Sequence, residues 1–252
     1  MEQSEKTVLM NVVVTGGSGH LGTPIITRLL SDGCQVLSLS SQPQKADWGQ
    51  HANLTHHVVE ISNTSRLQDY FRPFVDKHGP INGLVTLTSR SPRGLNTKTS
   101  EKNFSRNILM AVEPTLRTLL EVRPFLDSTA SVIVISSLWA KRVPESAMYL
   151  DLQNEPDLSV PAGKAAQRQV VQYLAVEWAR DGIRVNLITP GWFPRPGPIE
   201  RKDYIDEIVK RTPMRRIGRP IDLVEPIIFL LSSGSSFITG QDLIVDGGFS
   251  LW

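Results

Sequence analysis

Val12-Val13-Val14-Thr15-Gly16-Gly17-Ser18-Gly19-His20-Leu21-Gly22 passes from an apolar run through a glycine-rich turn into a helical pattern. Glycines let the backbone turn tightly and approach a pyrophosphate closely, and the positive end of the helix then faces the anion. Such a turn says little in isolation. Here it stands at the first junction of a chain in which strand-like and helical segments alternate throughout. The expected strands are Val12–Thr15, Gln35–Leu39, His57–Glu60, Gly83–Thr86, Ser131–Ile135, Arg184–Ile188 and Asp242–Val245. Helical periodicity marks Leu21–Leu30, Arg66–Lys77, Glu101–Leu126 and Lys164–Arg180. Strands separated by helix-length segments predict βαβ units, so the fold class is α/β: a doubly wound, parallel, Rossmann-type sheet.

The 252 residues are expected to form a single domain, 1–252, with 40% apolar and 21% charged residues. A formal net charge of +2, without a basic stripe interleaved with aromatics, argues against nucleic acid. No apolar run approaches the roughly 20 residues of a membrane helix, and the start Met1–Lys6 lacks the features of a signal peptide. Cys34 is the one cysteine, which excludes an intrachain disulfide and a cysteine metal cluster; it reads as a small core residue in a cytoplasmic protein. No metal is expected. Two segments interrupt the alternation, an inserted loop at 141–161 and a Pro/Gly-rich stretch with a charged helical pattern behind it at 192–219. Both follow the C-terminal ends of strands, where open α/β sheets bind ligands.

With the glycine turn, Ile183-Arg184-Val185-Asn186-Leu187-Ile188-Thr189-Pro190-Gly191 and Ile238-Thr239-Gly240-Gln241-Asp242-Leu243-Ile244-Val245-Asp246-Gly247-Gly248 make three ordered blocks. Together they resemble the short-chain dehydrogenase/reductase family over nearly the whole chain. The family's T-G-x-x-x-G-x-G pattern has His20 at its middle glycine; the sequence fits T-G-x-x-G-x-x-G instead, through Gly16, Gly19 and Gly22. The resemblance implies NADP or NAD as cofactor, bound along Gly16, Ser18, Gly19, His20, Leu21 and Gly22, with Pro190 and Gly191 on the nicotinamide side. At the end of the second strand, where an acid would select NAD, the sequence reads Ser40-Ser41, which favours NADP; Lys45 is a candidate for the 2′-phosphate. Glu60 takes the place of the usual Asp beside the adenine, and the family's Asn-Asn-Ala-Gly block reads Thr86-Leu87-Thr88-Ser89.

The family's Asn, Ser, Tyr and Lys set maps onto Asn107, Ser137 and Lys164, but the tyrosine position, four residues before the lysine, holds Val160. A valine has no proton to exchange, and losing a general acid costs about 10²–10⁴ in rate. Tyr149, 12 residues after Ser137, either folds back to supply the missing acid or is an ordinary lid residue; position 153, where its lysine would stand, is Gln153. The basic residues of 192–219, a substrate lid in the family, suit either an anionic, sugar-like substrate or a solvated helix face. The 141–161 loop and the C-terminal Gly247–Trp252 bear some similarity to sugar- and nonulosonate-modifying members.

The resemblance implies an oxidoreductase acting on a carbonyl or secondary alcohol of a small-molecule substrate. It also implies a homodimer or homotetramer built on 101–126, 164–180 and the C-terminal segment. A catalytically silent dinucleotide-binding homologue, sensor or scaffold, and a non-redox enzyme using the same pocket are the alternatives that Val160 raises.

Overall fold

The computed structural model describes residues 10–64, 66–88, 101–143, 158–195 and 202–251. Seven strands form one parallel sheet: β1 Asn11–Thr15, β2 Gln35–Ser40, β3 Leu54–Val58, β4 Ile81–Thr86, β5 Leu126–Ile135, β6 Arg184–Pro190 and β7 Asp242–Val245. Their order is β3-β2-β1-β4-β5-β6-β7. The chain winds outward from β1 in one direction and then returns to continue on its other side. The crevice beyond the C-terminal ends of β1 and β4 is therefore the topological switch point at which such sheets bind ligands.

Side chains along a strand alternate between the two faces of the sheet, and here both faces are covered. On one, Val12, Val14, Val36, Val85, Ile133 and Ile188 pack with Ile25, Ile26 and Leu29 of helix α1 (Gly22–Ser31) and Ile227 and Leu230 of α6 (Val224–Leu231). On the other, Val13, Leu37, Leu84, Val132, Val134 and Leu187 meet α2 (Gln68–His78), α3 (Glu101–Val122) and α4 (Ser159–Trp178) through Phe71, Leu119, Val171 and Trp178. Cys34 is buried ahead of β2. No helix among the described residues is long and apolar enough to cross a membrane.

Several boundaries differ from the expected ones, the largest at the third strand, the junction of α3 with β5 and the start of α4. The third strand occupies Leu54–Val58 rather than His57–Glu60, leaving Glu60 beyond its end. It is a sheet edge whose residues are half-buried or exposed, and its polar His56 bonds Ser38 Oγ at 3.1 Å, so its pattern lacks an apolar run. The long third helix stops at Val122, where a 3₁₀ turn containing Pro124 leads into a strand that begins at Leu126 instead of Ser131. Helix α4 starts at Ser159, five residues before Lys164, so the end of the 141–161 segment is helical. Pro161 lies in its first turn, where backbone amides need no helical acceptor, and it does not hold Val160 extended.

Helices α3 and α4 meet closely. A Cβ on Gly163 would stand 2.6 Å from the Ala111 Cβ. Such overpacking costs about 1–3 kcal/mol, against about 1 kcal/mol of helix propensity gained. Gly163→Ala is therefore expected to lower the urea midpoint, and adding Ala111→Gly to recover much of the loss; equal midpoints for Gly163→Ala and the parent would contradict this crossing.

Candidate active site

The glycine turn begins where β1 ends. Gly16 has φ +75°, a left-handed conformation suited to glycine, and its amide donates to the Leu39 carbonyl at 2.8 Å. Gly22 opens α1 so close to the turn that a Cβ there would lie 2.5 Å from the Gly17 carbonyl oxygen. The α1 N-terminus thus faces a cleft of about 1240 Å³, lined by Gly16, Ser18, Gly19, His20, Leu21 and Gly22 on one side. Ser41, Lys45, Glu60, Leu87 and Thr88 complete much of its wall.

Within this group the roles divide. The Ser40 hydroxyl, 3% exposed, accepts the Ser18 amide at 3.0 Å, and Ser18 Oγ donates to the Gln42 carbonyl at 3.0 Å. These hydroxyls hold the turn to the end of β2, where Ser41, Gln42 and Lys45 also line the cleft. Ser62 Oγ donates to Glu60 Oε1 at 2.9 Å. His20 is half-buried against the segment after β6, and its buried Nε2 has no protein partner among the described residues. Burial lowers its pKa, opposed by a hydrogen bond to the Pro194 backbone.

The second group lies where β5, α3 and α4 converge. Ser137 caps the turn after β5, its Oγ accepting the Trp139 amide at 3.3 Å. Asn107 projects from the stripe of α3 that also carries Ala111 and Thr115, all buried. The facing stripe of α4 carries Val160, Gly163, Lys164 and Gln167. Lys164 is 5% exposed and donates to Gln167 Oε1 at 3.2 Å; Gln167 Nε2 donates to Thr115 Oγ1 at 2.7 Å, and Thr115 Oγ1 to the Thr88 carbonyl at 3.1 Å. The line continues through the Thr88, Thr86 and Thr15 hydroxyls, with 3.0 Å between Thr88 and Thr86 and 2.9 Å between Thr86 and Thr15. Three threonine hydroxyls thus tie β4 to β1 in the block where the family keeps asparagines.

Val160 is buried one turn before Lys164 and offers only an apolar surface. Asn107 Oδ1 and Ser136 Oγ are buried without protein partners among the described residues, and buried polar atoms of this kind await a ligand or water. Tyr149, Gln153, Ser89 and Arg201 lie outside the described residues.

Pro190 ends β6. Gly191 follows it with its amide on the Val245 carbonyl at 2.9 Å, where a Cβ would lie 2.7 Å from Asp246 Cα. Gly191 and Ser137 both line a second pocket of about 360 Å³, walled by Trp139, Trp192, Tyr204 and Ile208. Tyr204 and Ile208 come from α5 (Lys202–Arg211). Three arginines of the 192–219 segment are engaged with acids: Arg211 with Glu207 at 2.7 Å, and Arg216 and Arg219 with Asp222, just beyond it, at 2.5 and 3.5 Å. Arg195 and Arg219 also border the nucleotide-sized cleft, not this pocket.

Gln167, Thr115 and the Trp139–Trp192–Tyr204 group were not singled out from the sequence. A glutamine on the buried stripe of α4, and tryptophans directly after the strand ends that carry Ser137 and Gly191, were the available signals.

The family model described as enoyl-(acyl carrier protein) reductase matches residues 21–250. The chain belongs to the short-chain dehydrogenase/reductase family. A chloroplastic tropinone reductase homolog of Arabidopsis thaliana is 27% identical over 256 residues, covering 96% of this chain and 76% of the relative. Among solved structures, a short-chain dehydrogenase of Leptospira borgpetersenii with bound NAD+ superposes with a TM-score of 0.86 at 23% identity, covering 99% of this chain and 97% of that one. A gluconate 5-dehydrogenase of Burkholderia cenocepacia, in complex with NADP and tartrate, gives 0.81 at 21% identity over 96% of each chain.

Desolvation lowers the Lys164 pKa from 10.5 to about 8. Between those values the unfolded chain holds the extra proton, so this lysine makes stability rise with pH across the window; below it, the buried charge costs its full amount. Lys164→Met is expected to raise the melting temperature of the nucleotide-free protein at pH 7 by about 2–4 °C. The lost bond to Gln167 takes back part of the gain. The parent is then expected to close the gap between pH 8 and 10.5. A variant that melts lower than the parent at pH 7 would contradict the burial of an ammonium without a carboxylate.

Proposed function

We propose that the protein is an NAD(P)-dependent oxidoreductase acting on the carbonyl or secondary alcohol of a small molecule. The observation that carries this reading is Lys164, a buried cation linked through Gln167 and Thr115 to Thr88 in the wall of the glycine-turn cleft, with an amide, and no acid among the described residues, as its partner. A fold keeps such a charge at a cost, which a ligand bearing hydroxyl or phosphate oxygens offsets through charge-assisted hydrogen bonds.

The cleft suits a dinucleotide. Gly16 and Gly22 bring backbone against its floor, α1 directs its N-terminus to it, and the orphaned Asn107 and Ser136 oxygens lie toward the reacting end of the sheet. Gly19, His20 and Leu21 would flank the pyrophosphate, Glu60 the adenine side, Ser41 and Lys45 a 2′-phosphate, Lys164 the nicotinamide ribose, and Pro190 and Gly191 the nicotinamide side. The absence of an acid at Ser40-Ser41 favours NADP. When bound, the cofactor supplies or accepts the hydride. Ser137 would orient the substrate oxygen by donating its hydroxyl proton in a hydrogen bond, and Asn107 would support the floor of the site. Tyr149 is assigned the proton that Val160 is unable to carry. Exposed Leu109 and Leu120 on α3 and Tyr173 and Val176 on α4 support a homodimer or homotetramer built on these helices.

Val160 favours a second reading, a nucleotide-binding homologue without turnover. It sits in the helical first turn of α4, so a tyrosine there would extend from the same turn and lie on the stripe of Lys164. NADPH consumption with ketone substrates separates the two. In the oxidoreductase reading the parent turns over and Tyr149→Phe loses activity by a factor on the order of 10² or more, while Val160→Tyr adds nothing. Activity gained only in Val160→Tyr would mark the parent as a disabled enzyme. No turnover in any of the three, with nucleotide bound, would overturn the oxidoreductase reading.

A further inference from the structure

The pocket above Ser137 has walls of one character. Its described lining residues, Ser137, Trp139, Trp192, Tyr204 and Ile205 among them, enclose about 360 Å³, and none of them is charged. Its aromatic wall is locked. Trp192 packs edge-to-face with Trp139 at a centroid distance of 5.7 Å and 81°, and with Tyr204 at 5.5 Å and 87°. Phe249 supports the same indole at 6.1 Å and 71°. Rings interlocked in this way keep one wall shape and lose little entropy when a ligand arrives.

Resting on the oxidoreductase reading above, we propose that this pocket selects a compact, uncharged ring substrate, a cyclic or aryl ketone or the corresponding alcohol, with Trp139, Trp192 and Tyr204 as its specificity residues. Ser137 Oγ already accepts the Trp139 amide, and its proton has no acceptor among the described residues. The hydroxyl therefore offers one hydrogen bond to one ligand oxygen. A carbonyl on a ring matches that supply: one acceptor at Ser137, with apolar surface against the indoles and Ile205. A polyol would carry several hydroxyls into a wall that provides few partners, and each unsatisfied group counts against binding. A carboxylate would be desolvated against a lining that, among the described residues, holds no cation. The volume falls within the lower range of small-molecule pockets, which suits one or two rings and not an extended chain.

The test is calorimetric titration of the protein with acetophenone and cyclohexanone, and in parallel with gluconate and sorbitol. It is run with and without saturating NADP+, whose oxidised state lets a ketone bind without turnover. The ring ketones are expected to bind at least about tenfold more tightly than either polar ligand, with Trp192→Ala removing most of that margin. Ile205→Arg, which places a cation in the wall, is expected to weaken the ketones and to favour gluconate, and it keeps the proposal open to test if Trp192→Ala fails to fold. Gluconate or sorbitol binding as well as the ketones to the parent, or no ketone binding at all, would overturn the proposal. NADPH consumption separates the two levels. Ketone binding without turnover would count against the oxidoreductase reading alone, whereas turnover of sugar acids or polyols but not ring ketones would retain that reading and remove this one.

Discussion

The ammonium of Lys164 is 5% exposed and faces a glutamine amide rather than a carboxylate. Burying a cation in that way is tolerated only where the surroundings hold it firmly and something else later shares the charge. Much of the architecture at the C-terminal edge of the sheet serves that condition. Gly163 lets α4 approach α3 until Ala111 leaves no room for a Cβ, and Gln167 then reaches Thr115 at 2.7 Å. The lysine is fixed by backbone approach first and by hydrogen bonding second.

From Thr115 the polar line crosses to the Thr88 carbonyl, and the three threonine hydroxyls carry it to the end of β1, where Gly16 begins the turn. Lysine, helices, central strands and glycine turn are thus one connected set. The Leu87 amide reinforces it by donating to the Thr15 carbonyl at 3.0 Å. Where relatives of the family use asparagines after the fourth strand, this chain closes the gap between β1 and β4 with hydroxyls and an apolar Leu87 against Gly16.

The sheet was legible because its strands are buried on both faces and so read as short apolar runs; Val12–Val14 and Val132–Ile135 are clear examples. The edge strand Leu54–Val58 was misplaced because His56 and His57 break that signal. The segment through Pro161 was read as an inserted loop from its Pro, Asp, Glu and Ser content, yet in a first turn the missing amide of Pro161 goes unused and the helix starts at Ser159. Asn107, Ser137 and Lys164 were named from the family resemblance, and they fall on α3, the turn after β5 and α4, which meet. The Gln167–Thr115 link was not legible, since it depends on which faces of two distant helices meet. Nor was the Arg216–Asp222 pair, which is brought together by the turn at Arg219 and Pro220 rather than by a helical repeat.

The central claim is that the cleft at the glycine turn is a dinucleotide site, and calorimetric titration of the unmodified protein with NADPH and with NADH tests it most directly. The account predicts saturable binding in the low-micromolar to sub-millimolar range, with NADPH at least as tight as NADH. Binding of neither nucleotide would contradict it.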